Sequence, residues 1–183
     1  MKYVSFDPEA QVTGQAMLGF KAATSKEIIE PLLKKYELTD IQPEQWYSLQ
    51  KWLNVLSDIE FTAGVSSMMT FVDIGIGVAA NVIPSAQIEQ FEREGFVDAV
   101  VNIGGSNYRR DHRGNVGKLD IKKINDQQVT SFITSPYPPD FWYGNMYGIA
   151  KRFCSSFVVQ YENLSMRYSK PGEPVIVHTI LKK

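Results

Sequence analysis

The chain predicts an α+β fold in a single domain, residues 1–183: a helix-rich N-terminal half, then a small antiparallel sheet of about four strands with one inserted helix. Three observations predict it. Apolar residues recur at spacings of three and four through about residue 103, as on helix faces. After Gly104-Gly105 the pattern turns to short alternating runs. Turn residues punctuate those runs, and no repeat, low-complexity tract or linker divides the chain.

The helices come first. Thr13 to Ala23 is a short amphipathic stretch carrying Met17, Leu18 and Phe20. Thr24 as N-cap and Glu27 three residues on make a capping box for the next helix, which Pro31 is expected to kink or divide. Pro43 is expected to open a third helix from its first turn. There Trp46, Leu49, Leu53 and Leu56 form a core-facing stripe. A fourth segment spans Ala63 to Val82. A fifth begins at Pro84-Ser85 with Ile88, Phe91, Phe96 and Val97 as its apolar set and Gly95 inside it.

The strands follow. Gly117 to Ile124 and Gln128 to Thr134 flank the turn Asn125-Asp126 and read as a hairpin. Phe157 to Arg167 and Val175 to Leu181 read as a second pair around Lys170-Pro171-Gly172. Between the pairs runs a helix, Asn145 to Phe153.

The bulk numbers exclude several classes. At 44% hydrophobic and 21% charged the chain is ordinary for a globular protein. A net charge of -1 predicts neither a nucleic acid nor an anionic membrane as partner. Cys154 is the only cysteine, so no intrachain disulfide forms. Two histidines and one thiol make no compact metal pattern, and neither metal nor cofactor is expected. Residues 61–84 carry one charge, Asp73. They are rich in Thr, Ser, Gly and Asn and lack Leu, which fits a closely packed buried helix better than a membrane span. Met1 to Glu9 has no apolar stretch of a signal peptide, so a cytoplasmic location is expected.

The densest feature is the joint Ser135-Pro136-Tyr137-Pro138-Pro139-Asp140-Phe141-Trp142-Tyr143-Gly144. Its prolines fix φ and hold their predecessors extended, and Asp140 sits where an N-cap belongs. Four aromatics at a rigid strand-to-helix corner read either as a pocket wall or as a well-packed corner. Tyr108 to Gly117 holds three arginines beside Asp111 and His112. It reads as a solvated loop ahead of the hairpin, with an anion grip as the rarer alternative. His178, beside Val177 and Thr179, takes a strand surface position by default.

Val72-Asp73-Ile74-Gly75-Ile76-Gly77-Val78-Ala79-Ala80 contains G-x-G-x-x-A and resembles the glycine-rich turn of methyltransferases that use S-adenosylmethionine. The alternating strands and helices of such a fold are missing, so the glycines are read as sites where a neighbouring element packs close.

Several of these features together resemble the superfamily that joins V4R (4-vinyl reductase-like) domains, haem nitric-oxide-binding domains and the Bet3-like subunits of tethering complexes. The resemblance rests on the helix-rich first half and on Thr70-Phe71-Val72-Asp73-Ile74-Gly75 followed by Pro84. It rests also on Arg113-Gly114 with Gly117, on the Tyr137-Pro138 corner and on the final strand pair. It implies an α+β ligand-binding fold, often dimeric, used in sensing or assembly. The departures are specific. The two cysteines common in the final hairpin of V4R domains are absent from Met166 to Val175. Residues 10–103 hold no axial histidine, and Phe132, Thr134 and Pro136 stand where a haem-binding Tyr, Ser and Arg would be, so haem held in that family's manner is not expected. Cys154 lies in the wrong half to carry an acyl chain.

The expected function is therefore a non-catalytic small-molecule-binding or sensory domain, a homodimer through helical surface. A small hydrophobic or amphipathic ligand would sit between the helices and the sheet. Met17, Phe20, Phe71, Tyr137, Phe141, Trp142 and Tyr143 would line the pocket, with Arg113 at its mouth. The alternatives are a small enzyme, either a methyltransferase or reductase-like, and a pure assembly protein with a filled core.

Overall fold

A computed structural model of the chain describes residues 3–64, 67–82, 85–163 and 176–183. Its order is β1 (Gln11–Thr13), α1 (Gly14–Ala23), α2 (Lys26–Lys35), β2 (Trp46–Ser48), α3 (Leu49–Ala63), α4 (Ser67–Val82), α5 (Ser85–Glu94), α6 (Phe96–Arg110), β3 (His112–Arg113), β4 (Lys118–Asn125), β5 (Gln128–Thr134), α7 (Pro139–Phe153), β6 (Phe157–Asn163) and β7 (Ile176–Lys182). This is the expected α+β fold with a helix-rich first half.

The main sheet runs β4-β5-β7-β6, antiparallel throughout. On its inner face Val129, Ser131 and Ile133 of β5 stand opposite Ile180, His178 and Ile176 of β7. The turn residues 170–172 lie outside the described residues. A second sheet, β2-β1-β3, ties the start of the chain to the ends of α3 and α6. The sequence does not announce it, because strands of two or three residues have no period to read.

Several helix starts differ from expectation, each for a local reason. Ser25, not Thr24, is the N-cap of α2, and the Thr24 hydroxyl instead donates to the Phe20 carbonyl at 2.7 Å. Pro31 does not divide α2, which runs on as one helix. The third helix starts at Leu49, not near Pro43. Ser48 is its N-cap and accepts from the Lys51 amide, while Trp46 belongs to β2. Gly95, at φ 94°, separates two helices where the sequence suggests one. Pro138 and Pro139 supply the N-cap and first residue of α7. Asp140 thus lies in the first turn, and the helix begins six residues before the expected Asn145.

α4 and α7 cross with their backbones almost in contact. A Cβ on Gly75 would lie 2.6 Å from the Asn145 nitrogen. A Cβ on Gly144 would lie 2.8 Å from Val72 Cα, and one on Gly148 2.8 Å from Ala79 Cβ. Gly77 meets Ala23 of α1 in the same way. The motif of residues 72–80 is therefore mid-helix, not a strand-to-helix turn, and its glycines serve close packing.

Candidate functional site

The sequence places the site at the end of β5. Tyr137 sits at a bend in the Pro-rich joint between β5 and α7, and its ring packs near Phe20 of α1 and Tyr108 of α6. Two turns of α7 then present Phe141, Trp142, Asn145 and Ile149 along one face, at spacings of three and four. Opposite them stand Phe20 of α1, Val78 of α4 and Tyr108 of α6. Between these walls lies a cavity of about 150 Å³ that Gln15, Ala16, Gly19, Asn81, Ile103, Arg110, Asp111 and His112 complete.

Aromatic rings make most of its surface. Phe20 stacks on Phe141 with centroids 4.4 Å apart, and Phe141 meets Trp142 edge-on at 5.2 Å. Tyr108 meets Trp142 edge-on, also at 5.2 Å. These offset and edge geometries suit the ring quadrupoles.

The polar part is a chain of hydrogen bonds. His112 Nδ1 lies 2.8 Å from the Tyr108 carbonyl, which accepts only, so Nδ1 carries the proton. Burial pushes the His112 pKa below its usual value and keeps the ring neutral, which leaves Nε2 as an acceptor. The Tyr137 hydroxyl, 2.8 Å away, donates to it. Tyr137 is buried and its own pKa rises well above the ordinary tyrosine value through desolvation. Tyr108 donates to the Val116 carbonyl, and its burial likewise raises its pKa. At the rim Arg110 grips the Asp111 carboxylate through both Nε and Nη2, at 2.8 and 3.1 Å.

Phe20, Tyr137, Phe141 and Trp142, expected to line a pocket, come together here. The other four do not join them. Met17 is fully buried in the core, and Phe71 packs against the Tyr3 ring at 6.2 Å. Tyr143 stands beside Tyr147, Tyr161 and His178 on the sheet side of α7. Arg113 is exposed, with its guanidinium 3.9 Å over the Trp46 ring.

Two sequence expectations are corrected. Tyr108 to Gly117 is not simply a solvated loop: Tyr108 closes the last turn of α6, and His112 turns inward onto the cavity. The available signal is the apolar period Val97, Val100, Ile103, which continues to Tyr108 and then to His112 four residues on. His178 is not at the surface but wholly buried, with Nδ1 3.2 Å from the Ser131 hydroxyl and its ring stacked on Tyr161.

Comparison with known proteins gives one kind of match. No family model matches the chain, and no curated protein does. Solved H-NOX structures do. The Fe(II) unliganded H-NOX protein from K. algicida has a TM-score of 0.66 at 13% identity, over 93% of this chain and 96% of that one. A mutant H-NOX domain from Shewanella oneidensis in its Fe(II)CO state has a TM-score of 0.67 at 12% identity, over 93% and 98%. A structure from a study of haem distortion in the H-NOX family has a TM-score of 0.62 at 15% identity, over 93% and 92%. At these identities the likeness shows the fold, the haem nitric-oxide-binding fold, across nearly the whole chain. Among the described residues no helix is long and apolar enough to cross a membrane.

Proposed function

We propose that this domain is a non-catalytic sensor that takes a small molecule directly into the aromatic cavity, without haem. The observation that carries the reading is the pair His112–Tyr137. The H-NOX neighbours hold haem and Fe(II), and His112 is the imidazole nearest that role in this fold's cavity. Here its Nε2 lone pair already accepts from Tyr137 and its Nδ1 is bonded to Tyr108. The space beside it, about 150 Å³, matches a cavity that holds benzene, not a macrocycle. Phe20 packs on Phe141 and Phe141 on Trp142, so the aromatic walls of the cavity close on one another. The residues present do not fit that group.

The cytoplasmic setting and the homodimer belong to the same reading. Phe61 on α3 and Met69 on α4, 88% and 55% exposed, are the apolar helical surface that supports a second copy.

Haem titration tests the proposal. Adding haem to the purified protein should give no sharp ligated Soret band, and native mass spectrometry should find at most a ligand far lighter than haem. A stoichiometric haem complex that His112→Ala abolishes would overturn it. Tyr137→Phe tests the pair itself. It deletes the donor to His112 Nε2 and keeps the ring, so unfolding free energy should fall by about 0.5–1.5 kcal/mol in chemical denaturation. An unchanged denaturation midpoint would mean the bond contributes nothing.

A further inference from the structure

Resting on the small-molecule reading above, we infer that the cavity's ligand is a neutral single-ring molecule bearing a hydrogen-bond acceptor, received by the Trp142 indole N–H with the Asn145 amide beside it. Trp142 lines the cavity and is 4% exposed, yet its Nε1 is buried with no hydrogen-bond partner among the described residues. Indole nitrogen is a donor only, and buried donors are nearly always paired. A tryptophan that needed no partner would be served as well by phenylalanine in an otherwise aromatic wall. Asn145, three residues on, shares this face of α7, lines the same cavity and is 8% exposed. Its amide brings a second donor and an acceptor.

The rest of the wall sets the class. His112 and Tyr137 satisfy each other, so neither is needed by the ligand. Arg110 is held in a two-point bond by Asp111, so no unopposed cation invites a carboxylate. The rings of Phe20, Phe141 and Tyr108 surround a space the size of one further ring.

Three probes of similar size separate the possibilities by calorimetry or by quenching of tryptophan fluorescence. Benzonitrile offers an acceptor, toluene offers none, and benzoate offers a charged one. Benzonitrile should bind at least tenfold more tightly than toluene, and benzoate at least tenfold more weakly than benzonitrile. Trp142→Phe keeps a ring and deletes the N–H, and should bring benzonitrile down to the affinity of toluene. Should that variant not fold, the benzonitrile-to-toluene ratio in the parent protein decides alone. If toluene binds as well as benzonitrile, the N–H is not the recognition element, whether idle or met by water, and the inference fails while the small-molecule reading stands. If benzoate binds best, the ligand is not neutral and the inference fails. If none of the three binds, the inference fails together with the small-molecule reading beneath it.

Discussion

Gly144→Ala should destabilise the domain by about 3 kcal/mol, the upper part of the usual range for forcing extra atoms into a packed interior. In an exposed helix the same change would gain up to about 1 kcal/mol, because alanine is the better helix former. The sign is decided by the neighbour. The new Cβ would fall 2.8 Å from Val72 Cα, and against the Val72 carbonyl beside it. These are backbone atoms of α4 and cannot swing aside as a side chain would. The helices must separate, and the apolar contacts along their crossing loosen with them. Gly75→Ala meets the same obstacle from the other side, at Asn145 N and the Phe141 carbonyl. Once one substitution has parted the helices, the second costs less, so the double variant should be less than additive. Gly19→Ala is the control: nothing lies within 4 Å of its Cβ in α1, and it should gain about 0.5–1 kcal/mol. Guanidinium denaturation of the four variants checks all of this. A Gly144→Ala protein as stable as its parent would refute the close-packed crossing. Because α7 carries Phe141, Trp142 and Asn145, the crossing also sets the width of the cavity.

How far the sequence reaches depends on the length of the pattern. α3 shows its core face through Leu49, Leu53 and Leu56, and β5 is legible end to end because seven residues rich in Val, Thr, Phe and Ile lie between two turn signals. That α4 packs closely against neighbours was readable in Gly75 and Gly77, since glycine weakens a helix and is kept in a buried one where something must approach; that the neighbours are α7 at Gly75 and α1 at Gly77 was not. The second sheet was not readable: its strands are fixed by where α1, α3 and α6 begin and end, and not by their own residues. The cavity was half readable. The Pro-rich joint and its aromatics foretell a wall, but not which ring faces which way. A helix that starts at Pro139 turns Phe141 and Trp142 inward and sends Tyr143 to the sheet. Had the helix begun at Asn145, as the sequence suggests, no such division would follow. His112 was hidden for another reason: three arginines next to it make the segment look solvated, while Arg110 and Arg113 find partners in Asp111 and Trp46 at the surface.

His178 carries the second large effect, and the surface position expected for it overlooked a pattern in its strand. Ile176, His178 and Ile180 alternate, so one strand face holds all three. That face is buried, and His178 there meets Ser131 of β5, Tyr161 of β6 and Tyr143 of α7, none of them charged. Desolvation alone pushes its pKa down to about 4 from the ordinary 6.5. Between those values the unfolded chain takes up a proton that the folded chain refuses, so stability rises with pH across that window. The contribution is complete above about pH 6.5, drains away as pH falls, and is spent near pH 4. A gap of about 2.5 pH units, at about 1.4 kcal/mol each, makes the loss about 3 kcal/mol. His112 is shifted the same way and adds to the slope. Asp7 and Asp58, lowered below the usual carboxylate value by their hydrogen bonds, act mainly at still lower pH. His178→Leu removes the titrating ring without placing a new polar atom in the core. Urea denaturation of both proteins from pH 8 to pH 4 should therefore show similar stability at the alkaline end and a curve flatter by about 3 kcal/mol in the variant at the acid end. Parallel curves for parent and variant would mean that His178 takes its proton in the folded state without cost, and that the sheet–helix layer around it is open to water.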